Sequence, residues 1–240
     1  MARMETIDKD GSAMRICIAS PQHAGPHPLV ILMCHIGGLD DFTEDRIDRL
    51  AQAGFLSVAP DIFHYHDWFD DSNARRASLR DIRIIADIES TILHARIHAH
   101  ARPGTLGIVG HCMGGRTALL GAGSIADIGP LAMYYGGRTM LSWGDNQGPT
   151  PFARIANVHG PVLGLFGQDD VEPSPADVDL IEAEFAKHAI DYSFHRYDGA
   201  GHAFQNFLSA ERFRPDAAQD SWERTLHFLD QALLPSRKSS

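Results

Sequence analysis

The chain has 240 residues, with 21 Lys and Arg against 31 Asp and Glu and a formal net charge of -10. That length suits one α/β domain with a full core, spanning 1–240 with 235–240 as a flexible polar tail. The acidic balance and the lack of any basic cluster exclude nucleic acid and anionic membrane surfaces as partners.

In chain order, Met1 to Thr6 lacks the long apolar stretch of a secretory signal. Met14 to Ala19 reads as an early strand, broken by Pro21, Pro26 and Pro28. Leu29 to Cys34 is a continuous apolar run, as in a strand covered on both faces, and is far too short to cross a bilayer. It ends at His35-Ile36-Gly37-Gly38, after which Thr43 caps a helix reaching about Ala53. Phe55 to Val58 is the next strand, and such alternation predicts a mostly parallel sheet with helices on both faces. Ile62 to Ser72 is a loop rich in aromatics and histidine, including Phe63, His64, Tyr65, His66, Trp68 and Phe69. A long helical stretch from about Ala74 to Arg102 carries Leu79, Ile82, Ile85, Ile88, Ile92 and Leu93 at three- and four-residue spacing.

Further on, Pro130 to Tyr135 reads as a strand, and Arg138 to Gly160 as a long surface loop with little structure of its own. Pro161 to Phe166 is a strand opening into Gly167-Gln168-Asp169-Asp170. A helix from Pro175 to Lys187, a strand from Tyr192 to Tyr197, the turn Asp198 to Phe204 and a helix from about Asp216 to Ala232 complete the pattern. The three cysteines, Cys17, Cys34 and Cys112, offer no close pair for a disulfide. This suits a reducing compartment, and the expected location is the cytoplasm.

The stretch with the most chemistry is Thr105-Leu106-Gly107-Ile108-Val109-Gly110-His111-Cys112-Met113-Gly114-Gly115. It reads as strand, sharp turn, helix, with Cys112 at the strained centre and glycines two before and two after it. A passive cysteine in a glycine-rich turn is the alternative reading at this point. Two more candidates sit just past strands: Asp169 or Asp170, and then His202. Nucleophile, acid and histidine in that chain order match a hydrolytic triad.

Gly110-His111-Cys112-Met113-Gly114-Gly115, Gly167-Gln168-Asp169-Asp170 with Pro173-Ser174-Pro175, and Gly201-His202-Ala203-Phe204 together resemble the dienelactone hydrolase family of α/β-hydrolases. The similarity runs from about Leu29, through Asp40-Asp41-Phe42 and Val58-Ala59-Pro60-Asp61, to the last helix. It implies the α/β-hydrolase fold, with Cys112 as nucleophile, Asp170 rather than Asp169 as acid, and His202 as base. The implied activity is hydrolysis of a small lactone or activated ester through a thioester, as in a carboxymethylenebutenolidase, without metal or organic cofactor. Backbone N–H groups of Met113 and Ile36 would hold the oxyanion.

Two positions depart from the family. His35 stands where its glutamate partners the resting cysteine, and Asn206 stands where its arginine binds the substrate carboxylate; both are taken as substrate-site residues. Arg75, Arg76, Arg80 and Arg138 are substitute cations, and Tyr134 and Trp143 are pocket candidates. The competing readings are a general carboxylesterase and a non-catalytic or thiol-redox protein on the same fold. In solution a monomer or small homo-oligomer is expected.

Overall fold

The computed structural model describes residues 1–9, 11–65, 71–144 and 148–234. Among these, eight strands form one sheet: β1 (Arg3–Lys9), β2 (Ser12–Ala19), β3 (His27–Met33), β4 (Leu56–Pro60), β5 (Ala101–His111), β6 (Leu131–Tyr134), β7 (Val162–Gly167) and β8 (Tyr192–Tyr197), in the order β1-β2-β4-β3-β5-β6-β7-β8. β1 and β2 form an antiparallel hairpin, β2 pairs antiparallel with β4, and every pairing from β4 to β8 is parallel.

The apolar run in β3 is explained by its neighbours. Leu29, Ile31 and Met33 face one half of the core, and Val30 and Leu32 face the other. Successive strand side chains point to opposite faces, so a strand covered on both sides carries apolar residues throughout. The helices α1 (Asp41–Gln52), α2 (Ser72–Ser78), α3 (Asp81–His98), α4 (Met113–Ala122), α5 (Pro175–Lys187) and α6 (Pro215–Leu233) complete the layers. α1 and α6 cover one face with Ile47, Leu50, Trp222 and Leu229. On the other face α3, α4 and α5 contribute Ile88, Leu119 and Phe185.

Several boundaries correct the sequence reading. The strand at the N-terminus, β1, was not anticipated, because as an edge strand it presents only one apolar residue, Ile7, to the core. Asp40, not Thr43, caps α1: its carboxylate accepts from the Thr43 N–H at 3.1 Å. The single long helix expected from Ala74 to Arg102 is three elements. Leu79 is extended and buried between α2 and α3, and past α3 His100 takes a left-handed φ of 57° before β5 begins at Ala101. Periodicity cannot detect such a break, since the apolar spacing continues across it. The segment 138–160 is more than a surface loop: it contains a short 3-10 helix, Phe152–Asn157, and buries Thr139 and Ile155. Of the aromatic loop, His66, Trp68 and Phe69 lie outside the described residues.

Candidate active site

Three strand ends converge. Cys112 follows β5, Asp170 lies three residues past β7, and His202 lies five past β8. The turn at Cys112 is as tight as its glycines suggest, with φ 58° and ψ -122° at the cysteine. A Cβ on Gly110 would lie 2.0 Å from the Gly114 carbonyl oxygen, and one on Gly114 would lie 2.0 Å from that of Met33. Only glycine allows that approach of backbone to backbone. The strained cysteine sits at the N-terminus of α4, where the helix dipole favours a negative charge.

The side chains form a continuous row. Cys112 Sγ is 2.9 Å from His202 Nε2, and His202 Nδ1 is 2.9 Å from Asp170 Oδ2. The other carboxylate oxygen of Asp170 accepts from the Glu172 N–H at 2.9 Å, so both of its oxygens are engaged. Asp170 is buried, whereas Asp169 is exposed and takes no place in the row. The two carboxylates are adjacent in sequence, but the turn after β7 directs only one inward.

The electrostatics follow from these contacts. Burial alone would raise the Cys112 thiol, but the hydrogen bond and charge of His202, with the Met113 N–H and the charge of Arg76, bring it below its ordinary value. Burial would lower His202, yet Asp170 and Cys112 raise it to about 10. Both shifts favour a thiolate–imidazolium pair at neutral pH.

A small cleft of about 50 Å³ opens beside the sulfur, lined by Ile36, Arg76, Met113, Gly137, Arg138, Trp143 and Glu172 together with Cys112 and His202. Ile36, Met113 and Trp143 are therefore among the residues at the cleft. The Ile36 carbonyl accepts from Arg75 Nη1 at 2.7 Å, which ties the loop after β3 to α2. A larger groove of about 850 Å³ lies between α1 and α6 and contains none of the row; volume alone does not make an active site.

Other expected site residues lie elsewhere. Tyr134 is fully buried, with its hydroxyl donating to the Ser221 carbonyl and paired with Thr225, so it packs α6 onto the sheet and does not line the cleft. His35 Nε2 pairs with Asp40 at 2.8 Å and its ring packs edge-on against Phe42, which directs it toward the start of α1. Asn206 Oδ1 accepts from the Leu208 N–H at 2.9 Å and shapes its own turn. Neither is among the residues lining the cleft. His64 is bound to Ser12 and the buried Asp87. Of the four arginines considered as substrate cations, Arg76 and Arg138 reach the cleft, and Arg138 is already paired with Glu172 at 3.0 Å. Glu172 was missed in the sequence; its signal was its place two residues past Asp170, in the same turn.

A sequence profile described as the dienelactone hydrolase family matches residues 14–233. A Bradyrhizobium protein named a probable 2-oxo-3-(5-oxofuran-2-ylidene)propanoate lactonase is 33% identical over 96% of this chain and 94% of its own. The carboxymethylenebutenolidase of Rhodococcus opacus is 31% identical over 87% of this chain and 83% of its own. Among solved structures, a Klebsiella pneumoniae protein provisionally described as a dienelactone hydrolase superposes with a TM-score of 0.88 at 26% identity, covering 96% of this chain and 98% of that one.

Proposed function

The chain belongs to the dienelactone hydrolase family, and on that premise we propose that it hydrolyses a small enol lactone or similarly activated ester through a thioester on Cys112. The observation that carries this reading is the row Cys112–His202–Asp170, held at hydrogen-bonding distance beside the cleft. The reaction begins with the thiolate attacking the lactone carbonyl. The resulting oxyanion is held by backbone N–H groups, with those of Met113 and Ile36 as the candidates. Collapse breaks the ring C–O bond, the protonated imidazole of His202 gives its proton to the leaving oxygen, and a thioester remains.

Acylation removes the charge on sulfur, and with it one of the two influences that raise His202. The imidazole, still oriented by Asp170, is then free to take a proton from water as that water attacks the thioester. The thiolate leaves, the carboxylic acid is released, and the starting ion pair is restored.

The nucleophile also selects the substrate. A thiolate leaves more readily than an alkoxide, so the tetrahedral intermediate of a simple alkyl ester collapses back to reactants. An enol lactone releases a stabilised enolate, which competes with sulfur as the leaving group. Arg76 at the cleft supports a substrate carrying a carboxylate. The free thiols Cys17, Cys34 and Cys112 support a reducing, cytoplasmic setting.

Turnover of enol lactones, p-nitrophenyl esters and unactivated alkyl esters, compared between wild type and Cys112→Ala, tests the reading. Enol lactones should give the highest kcat/KM, and Cys112→Ala should lose at least about 10³-fold. Activity that survives Cys112→Ala would refute the nucleophile, and a preference for alkyl esters would favour a general carboxylesterase.

A further inference from the structure

Arg116 lies four residues past Cys112 on α4, and its side chain is fully buried. Its guanidinium is shared between two other parts of the chain. Nη1 and Nη2 donate to the two oxygens of Asp81, the first residue of α3, at 2.8 and 3.0 Å. Nε donates to the Arg138 carbonyl at 3.2 Å, and Nη2 also donates to the carbonyl of Leu141. The Trp143 ring stacks on the guanidinium, its centroid 3.6 Å from the central carbon. Asp81 completes the clamp: its carboxylate accepts from the Trp143 N–H at 3.0 Å, and its own N–H donates to the Trp143 carbonyl at 2.9 Å.

Both ends of the clamped segment, Arg138 and Trp143, line the cleft beside Cys112 and His202. We propose that Arg116, with Asp81, is the positioning residue that fixes this cleft wall against the nucleophile helix and so determines which acyl groups reach Cys112. The inference rests on the hydrolase reading for its consequence in turnover, but its geometry does not depend on that reading. A buried ion pair contributes little net stability compared with an apolar replacement, so stability is a weak reason for an arginine here. What an apolar side chain cannot do is bind a carboxylate and two carbonyls in one plane while stacking on an indole. Lysine, a compact point charge without a planar fork or a stacking face, cannot do so either. The clamp holds three elements in one register, and the wall it fixes sets the shape of the space beside the sulfur.

The test uses the full-length protein as wild type, Arg116→Met, Arg116→Lys and Asp81→Asn, with folding checked by circular dichroism and titration of accessible thiol. Two probes are applied, iodoacetamide and a bulky N-aryl iodoacetamide, and the rate of Cys112 alkylation is followed for each. Wild type should strongly favour the small probe. Arg116→Met should reduce that preference at least about tenfold, while its rate with iodoacetamide stays within about threefold of wild type and the pH midpoint of that rate within about half a pH unit. Arg116→Lys should resemble Arg116→Met, because charge alone does not rebuild the fork. KM for the best ester should rise about tenfold or more, with kcat changed far less. A merely structural role would lower thermal stability without moving the probe ratio or KM.

If Arg116→Met fails to fold, Asp81→Asn, which keeps the shape of the side chain and loses its charge, carries the same expectations. Trp143→Ala, which removes the wall itself, should reproduce the loss of selectivity. A folded clamp variant with the wild-type probe ratio overturns the proposal, as does an unchanged ratio in Trp143→Ala. Since alkylation needs no turnover, a wild type that discriminates between the probes but hydrolyses no ester would sink the hydrolase reading and leave this one standing.

Discussion

Burial alone would push the Cys112 thiol up, and the imidazole of His202 reverses that direction. The acid limb of Cys112 reactivity should therefore lie below the ordinary thiol range near 8.5–9, with the thiolate present above that limb and lost as pH falls through it. An unassisted thiol is only about 3% ionised at pH 7, so wild-type alkylation at that pH should exceed that of His202→Ala at least about tenfold. In His202→Ala, burial is the dominant remaining influence, and the limb should move upward. An unchanged limb would mean that the imidazole does not activate the sulfur. The sequence made Cys112 and His202 legible because each lies in a short, glycine-marked turn. The turn pattern by itself left Asp169 and Asp170 open, and only the family resemblance favoured Asp170, since one step along a turn decides which carboxylate is buried and propensity does not register that step. The Arg116–Asp81 pair was invisible for a different reason: its partners are 35 residues apart and meet only in the fold.

The elbow between β5 and α4 is held by close backbone approaches, and these make it brittle. Gly114→Ala would drive a Cβ to 2.0 Å from the Met33 carbonyl oxygen at the end of β3, where neither strand nor helix can yield cheaply. A fall in Tm of at least about 5 °C is expected, together with loss of fast Cys112 alkylation. Gly148→Ala, with nothing among the described residues within 4 Å of its new Cβ, is the control and should leave both unchanged. Wild-type behaviour in Gly114→Ala would show that the turn is not constrained as described. Elements with strong local punctuation were legible to within a residue or two. Tyr192–Tyr197 lies between turns, and Pro175–Lys187 begins at a Ser174 capping box with a proline in its first turn. The break at Leu79 was not legible, because tertiary contacts end one helix and start the next within an unbroken apolar pattern. Asp81 opens α3 while bound to Arg116 and Trp143, and neither partner is local to it.

At the scale of the molecule, the strand order brings the chemistry together. β5, β7 and β8 lie on the same half of a parallel sheet and release Cys112, Asp170 and His202 at the same edge, where ligands bind in open α/β sheets. The parallel sheet and its two helical layers were legible from the alternation of buried strands with amphipathic helices, whereas the antiparallel hairpin that begins with β1 was not. The central claim, that sulfur carries the acyl group, is tested most directly by acid-quenching wild type within milliseconds of mixing with a p-nitrophenyl ester or an enol lactone and mapping the adduct by mass spectrometry. The account predicts one acyl group per chain on the peptide containing Cys112, formed in a burst and lost on the time scale of turnover. Turnover with no adduct on that peptide, or with an adduct on another residue, would contradict it.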